Sequence, residues 1–142
     1  MTDRSNDPTR RDRREAVLRE HMESENRHDF EATIGTFSHP RYELMADGRR
    51  YDGEAEVREY FKSSRAMTPD MHNENAVFHH SDNAIITEFD LVGTSQGPHG
   101  PRQFRCPMVA LFFFDDDAGI VCERVYWDTA TIRRQVLGGE AS

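Results

Sequence analysis

Residues 103–128, QFRCPMVALFFFDDDAGIVCERVYWD, constrain the fold more than any other stretch of this chain. Phe104 to Phe114 is the most apolar run, and Ile120 to Trp127 alternates before ending in Asp128. Between them, Asp115-Asp116-Asp117-Ala118-Gly119 is turn chemistry: short polar side chains, then a glycine free to take positive φ. The stretch predicts two long antiparallel strands, whose alternate side chains share one face. A carboxylate at the end of such a face, near Tyr126, Cys106 and Met108, is a candidate ligand site. The 104–114 run also has more apolar positions than one sheet face needs, which predicts a second buried face.

The whole chain has 142 residues, the length of one domain with a substantial core. A net charge of −8 and a mean hydropathy of −0.83 predict a water-soluble protein. They argue against nonspecific nucleic-acid binding, which needs a basic surface. The one basic cluster, Arg10-Arg11-Asp12-Arg13-Arg14, reads as a solvated tail and helix start. No run reaches ~18 apolar residues, so no membrane span is expected. The polar N-terminal residues show no secretion leader, so Cys106 and Cys122 are expected to be reduced core thiols and the protein cytoplasmic.

In chain order, residues 1–12 lack apolar periodicity and predict a disordered tail. A charged helix follows from about Arg13 to Arg27, its narrow apolar stripe formed by Val17, Leu18, His21 and Met22. Asp29 can cap a short second helix over 30–37. Arg41 to Ala46 reads as a strand ending in an Asp47-Gly48 turn. A third helix over 54–67 carries Val57, Tyr60, Phe61 and Ser64 on one side. Strands are predicted at 71–80 and 84–95, then a Gly- and Pro-rich loop, then the hairpin. Thr129 to Leu137 is a short terminal helix, and 139–142 a tail. Helices segregated to one end of a mostly antiparallel sheet imply an α+β fold, with residues 13–138 as a single domain. A curved sheet around a helix leaves a cone open at one end, a natural apolar pocket.

This order, together with Tyr42-Glu43-Leu44, Tyr51-Asp52-Gly53, Glu88-Phe89-Asp90-Leu91 running into Gly93-Thr94, and Glu123-Arg124-Val125-Tyr126-Trp127-Asp128 with Gln135 and Gly138, resembles the nuclear transport factor 2-like superfamily. Within it the chain looks most like the SnoaL-like proteins, named for a polyketide cyclase. The resemblance implies a cystatin-like cone, with the curved sheet wrapped around the N-terminal and central helices. It also implies a homodimer formed through the outer sheet face. Cyclases of this kind carry Gly-Thr-His-x-Gly; here Gly93-Thr94-Ser95-Gln96-Gly97 puts Ser95 at the histidine position, with His99 in the following loop. They also place an aspartate on the next strand, and residues 103–110 contain no carboxylate. Limonene epoxide hydrolases use an Asp-Arg-Asp set; Asp90 and Asp128 resemble its aspartates, and Glu88 stands at the arginine. Ketosteroid isomerases place a tyrosine on the first helix, which here has only His21 and His28.

These residues give the expected site. Period two puts Glu88 and Asp90 on one face of their strand, and if the pocket lies there Asp128 joins them. Like charges in an apolar cavity would then furnish an acid and a base. Asp128 and Asp90 are expected to transfer protons, with Tyr126 orienting a substrate oxygen and Glu88 tuning the pair. The structural alternative makes Asp128 a helix cap, and has Glu88 and Asp90 face solvent or pair with Arg105 or Arg124. Tyr42, Tyr60, Met67, Cys106, Met108 and Ser95 are candidate pocket-lining residues. His72, His79 and His80 are spaced for a strand rather than for a metal, and no phosphate or dinucleotide motif occurs, so no metal or cofactor is expected. The expected ligand is a small apolar oxygenated molecule. Isomerisation or cyclisation beside a ketone leads, with epoxide opening and a noncatalytic binding domain as alternatives.

Overall fold

A computed structural model of the chain describes residues 8–138. Helix α1 spans Pro8–Asn26, α2 Phe30–Gly35, β1 Arg41–Leu44, β2 Arg49–Asp52 and α3 Glu54–Met67. Strands β3 (His72–His80), β4 (Ala84–Gly97), β5 (Gly100–Phe114) and β6 (Ile120–Trp127) follow, then α4 (Thr129–Val136). The strands form one six-stranded sheet in the order β2-β1-β6-β5-β4-β3. Every neighbouring pair is antiparallel except β1 with β6, which is parallel. The α+β cone expected from the sequence is therefore present, with the helices packed on one face of a curved sheet.

The first helix begins earlier than its apolar stripe suggests. Residues 8–12, expected as tail, are its first turns, while the expected tails at 1–7 and 139–142 lie outside the described residues. Arg10 and Arg14, read as solvated, are buried. The Arg14 guanidinium donates to the carbonyls of Asp82 (2.8 Å) and Asp115 (3.4 Å) and lies over the Phe114 ring. Arg10 pairs with Asp82 at 3.3 Å. A helix with few apolar residues is thus fastened by its arginine stems and heads to two hairpin turns.

The central hairpin is as expected in extent but differs in its turn. Ala118, not Gly119, takes the positive φ (78°). Gly119 is required by close approach: a Cβ there would lie 2.7 Å from Cβ of Ser38, and its N–H donates to the Asp115 carboxylate at 2.9 Å. The β4–β5 connection is a two-residue turn, Pro98-His99, because pairing continues to Gly97 opposite Gly100. The four-residue edge strand β2 escapes a periodicity reading because Arg49, Arg50 and Asp52 are exposed and polar. The core fills the concave face: Leu18, Ile34, Phe37, Val57, Phe61, Phe112 and Ile120 meet there. At the open end, Gln135 of α4 accepts from the Arg105 amide and donates to its carbonyl, both at 2.9 Å, which docks the helix on β5. Among the described residues, no helix is long and apolar enough to cross a membrane.

Candidate active site

The alternation of β4, β5 and β6 decides which chemistry faces the cone. Ile85, Thr87, Phe89, Leu91 and Ser95 of β4 point inward, as do Phe104, Cys106, Met108, Ala110 and Phe112 of β5. Glu123, Val125 and Trp127 of β6 share that face. Of these, Phe89, Leu91, Ser95, Phe104, Met108, Glu123, Val125 and Trp127 line a cavity of about 250 Å³, bordered on the helix side by Met22, Glu25, Tyr60, Arg65 and Ile132. Its wall is mainly apolar, and its two carboxylates are Glu25 and Glu123.

Behind Glu123 stands His21, wholly buried on α1. Nε2 of His21 is 2.9 Å from Oε1 of Glu123 and 3.5 Å from Oε1 of Glu25. Its Nδ1 is 2.8 Å from Oγ1 of Thr36, whose hydroxyl proton goes to the Thr33 carbonyl at 2.6 Å. The Thr36 oxygen therefore accepts, and Nδ1 carries a proton. Nε2 and Glu123 then share a second proton, held either on the imidazolium or on the acid. Tyr42, directly opposite Glu123 in the parallel β1–β6 pair, donates its hydroxyl to Oε2 of Glu25 at 3.1 Å.

The electrostatics follow from burial and mutual proximity. Desolvation raises the Glu123 pKa above the usual carboxylate value, Glu25 raises it further, and His21 opposes. For His21 burial works against the charged form, but Glu25 and Glu123 outweigh it and the net shift is upward. Burial raises the pKa of Tyr42 and of Tyr60, so both hydroxyls remain proton donors.

One nitrogen of His21 and one oxygen each of Glu25 and Glu123 lie mutually within 4.8 Å, a spacing that ligands of a cation also adopt. Charge balance favours a proton. Two carboxylates are matched by one proton on His21 and by the Arg65 guanidinium, whose Nη2 is 4.0 Å from Glu25. A divalent ion in place of that proton would leave the buried cluster positive.

The expected catalytic set lies elsewhere. Asp128, Asp90, Tyr126 and Glu88 do come together, but along an open depression on the outer face of the sheet, opposite to the cone. Asp128 caps α4, accepting from the Ala130 amide and the Thr131 hydroxyl at 3.0 Å each. Asp90 pairs with Arg105 at 2.9 Å and accepts from Asn75 at 3.2 Å. Glu88 pairs with His79 at 2.8 Å. The structural alternatives thus hold for Asp128, for Asp90 with Arg105, and for Glu88, which faces solvent, although its partner His79 was not among those expected. Of the candidate lining residues, Tyr60, Met108 and Ser95 border the cavity. Tyr42 and Cys106 are buried behind its wall, and Met67, at the end of α3, is 76% exposed. His21, Glu25, Arg65 and Glu123 were missed. For three of them the signal was present: His21 and Glu25 are one helical turn apart on the apolar stripe, and Glu123 is in phase with Val125 and Trp127.

Fold and site together define a nuclear transport factor 2-like, ketosteroid isomerase-like cone with a buried histidine–carboxylate cluster at its pocket. The profile of the SnoaL-like domain matches residues 18–122, and the chain belongs to that family. Among solved structures it is similar to a candidate polyketide cyclase from Xanthomonas campestris pv. campestris (TM-score 0.81, 18% identity, covering 89% of this chain and 98% of that one). It is also similar to an NTF2-like protein of unknown function from Burkholderia pseudomallei (TM-score 0.75, 19% identity, 87% and 97% covered). A third is a hypothetical protein with a ketosteroid isomerase-like fold from Catenulispora acidiphila, in complex with trimethylamine (TM-score 0.75, 16% identity, 89% and 96% covered). At these identities the likeness is one of fold. No curated protein sequence matches the chain.

Proposed function

We propose that the cone takes up a small, largely apolar molecule bearing a carbonyl oxygen and moves a proton on it, as an isomerase or cyclase of the SnoaL-like group would. The observation that carries this reading is Glu123: a carboxylate on the cavity wall, backed at 2.9 Å by a histidine that no solvent reaches. Burial and Glu25 raise its proton affinity towards that of a carbon-bound proton made acidic by a neighbouring carbonyl. Glu123 would take such a proton, the Tyr60 hydroxyl would donate to the enolate oxygen formed, and Glu123 would return the proton at a second carbon. His21 is a positioning residue that holds the Glu123 carboxylate and balances its charge. The cycle consumes nothing and needs only the chain's own groups.

The test is deuterium uptake next to the carbonyl of a panel of cyclic ketones in heavy water, followed by NMR. Wild type should catalyse uptake on at least one member. Glu123→Gln should slow it by about a hundredfold or more, and Asp128→Asn should leave it unchanged. Equal rates for wild type and Glu123→Gln would overturn the assignment. Binding of a ketone without any exchange would favour the noncatalytic reading, as would a cavity that stays at 250 Å³, just under the usual size of a ligand site.

We further propose a homodimer through the outer sheet face, supported by the row Val77–Glu88–Val109–Tyr126 that crosses four strands. Val77 is 53% and Tyr126 44% exposed. A cytoplasmic location fits the two free, buried cysteines.

A further inference from the structure

The polar groups on the cavity wall fall into two sets once their hydrogen bonds are followed. Most are spent on other parts of the protein. The Asn26 side-chain amide donates to the Asn73 carbonyl at 3.0 Å, and the Asn73 N–H donates to Oδ1 of Asn26 at 2.8 Å. His72 has Nδ1 2.9 Å from the Asp70 carbonyl and Nε2 2.7 Å from Glu74. Glu25 and Glu123 belong to the His21 cluster, and Arg65 is hydrogen-bonded to Tyr60. The second set is made of hydroxyls: that of Tyr60, already assigned to the reacting oxygen, and those of Thr68 and Ser95.

The Thr68 and Ser95 hydroxyls face each other at 3.3 Å. Two hydroxyls carry two protons, and the contact between them uses one. The other meets no further acceptor among the described residues. The fold holds this pair in place. Thr68 follows the last turn of α3 and is only 5% exposed. Its methyl takes the space of a missing side chain on β4: a Cβ at Gly93 would lie 2.6 Å from Cγ2 of Thr68. Two residues on, Asp70 accepts from the amide and the hydroxyl of Thr94, both at 2.7 Å. The segment after α3 is thus clamped to β4 at Gly93, Thr94 and Ser95.

Ser95 pairs across the sheet with Arg102, near the start of β5, whereas Glu123 pairs with Phe112, near its end. The hydroxyl pair and the carboxylate therefore lie towards opposite ends of the cavity, with Phe89, Leu91 and Met108 on the wall between them. A pair of hydroxyls both gives and takes hydrogen bonds, which suits a third hydroxyl, and it brings no charge to hold an ion.

We propose that Thr68 and Ser95 form the specificity contact of the cone, and that its ligand is a neutral hydroxy ketone: the carbonyl lies at Glu123 and Tyr60, and the hydroxyl joins the Thr68–Ser95 pair at the other end. This rests on the reading of the cone as a ketone site and adds the second functional group of the ligand.

The experiment is calorimetric titration of the full chain with decalones, each position of the second ring carrying in turn hydrogen, hydroxyl or methyl. At least one hydroxy ketone should bind wild type about fivefold or more tightly than its parent and its methyl analogue, the difference that a neutral hydrogen-bonded contact makes. Ser95→Ala and Thr68→Val should each bind hydroxy ketone and parent alike, with affinity for the parent unchanged. Thr68→Val keeps the methyl over Gly93, and Ser95→Ala alone decides if that variant fails to fold. A wild type that gains nothing from any hydroxyl overturns the contact and leaves the cone as a ketone site. A preference that survives Ser95→Ala does the same, as does an equal loss of affinity for hydroxy ketone and parent, which would make the pair structural. Failure of every decalone to bind overturns both the contact and the reading of the cone.

Discussion

Nε2 of His21 lies 2.9 Å from Oε1 of Glu123, and the other ring nitrogen is committed to Thr36. Two ionisable groups are thereby held together in a buried position. The folded state holds protons at both of them more tightly than the unfolded chain does, since both pKa values are raised.

That sets the sign of a pH effect. The contribution of His21 is fully present below its unfolded value of 6.5 and is lost as pH rises through its higher folded value. Glu123 acts in the same direction, because ionising it is harder in the fold than in the open chain, whose value is 4.5. Urea denaturation at a series of pH values should therefore show stability falling as pH rises above 6.5. In Glu123→Gln the fall should shrink. A profile that stays flat or climbs through this range would contradict the pairing.

Arg14 should matter far more than its place in a charged run suggests. Its guanidinium joins α1 to the turns carrying Asp82 and Asp115. Arg14→Ala removes both hydrogen bonds and the packing over Phe114, with an expected loss of about 3 kcal/mol in urea denaturation. Arg11→Ala, at an exposed position of the same run, should change stability by less than about 0.5 kcal/mol.

Asp128 should behave as a helix cap. Asp128→Ala should cost about 1 kcal/mol of stability, with Asp128→Asn recovering most of it because an amide oxygen can still accept from Ala130. Ligand affinity of the cone should be unchanged in both. A loss of binding without a loss of stability would return Asp128 to the site.

Val109 lies between Glu88 and Tyr126 on the outer face. Val109→Asp should convert a dimer to a monomer in analytical ultracentrifugation, since a buried unpaired charge at the centre of an interface is costly. A wild-type chain that sediments as a monomer at micromolar concentration would remove the proposed interface.

The fold was legible because long periodic segments announce themselves. The run from Phe104 to Phe114 and the alternation from Ile120 to Trp127 fix the central hairpin, and Val57, Tyr60 and Phe61 fix α3. The strand β2 and the start of α1 were not legible, because both are polar and owe their place to tertiary partners such as Tyr42 and Asp82. The site was half legible. Correct alternation separated Glu88 and Asp90 from Phe89 and Leu91, but alternation alone does not say which face is concave. The apolar face was the answer, and on β6 that face includes Glu123. A carboxylate in phase with Val125 and Trp127, and a histidine on the apolar stripe of α1, are the pattern of a buried polar cluster.

The most direct test of the account is the protonation of His21, read by NMR on protein carrying nitrogen-15 in its histidines. Wild-type His21 should keep protons on both ring nitrogens above pH 6.5, and in Glu123→Leu it should lose the Nε2 proton at lower pH than in wild type. A wild-type His21 that loses that proton below 6.5, as desolvation alone would dictate, would contradict the shared proton and with it the chemistry assigned to Glu123.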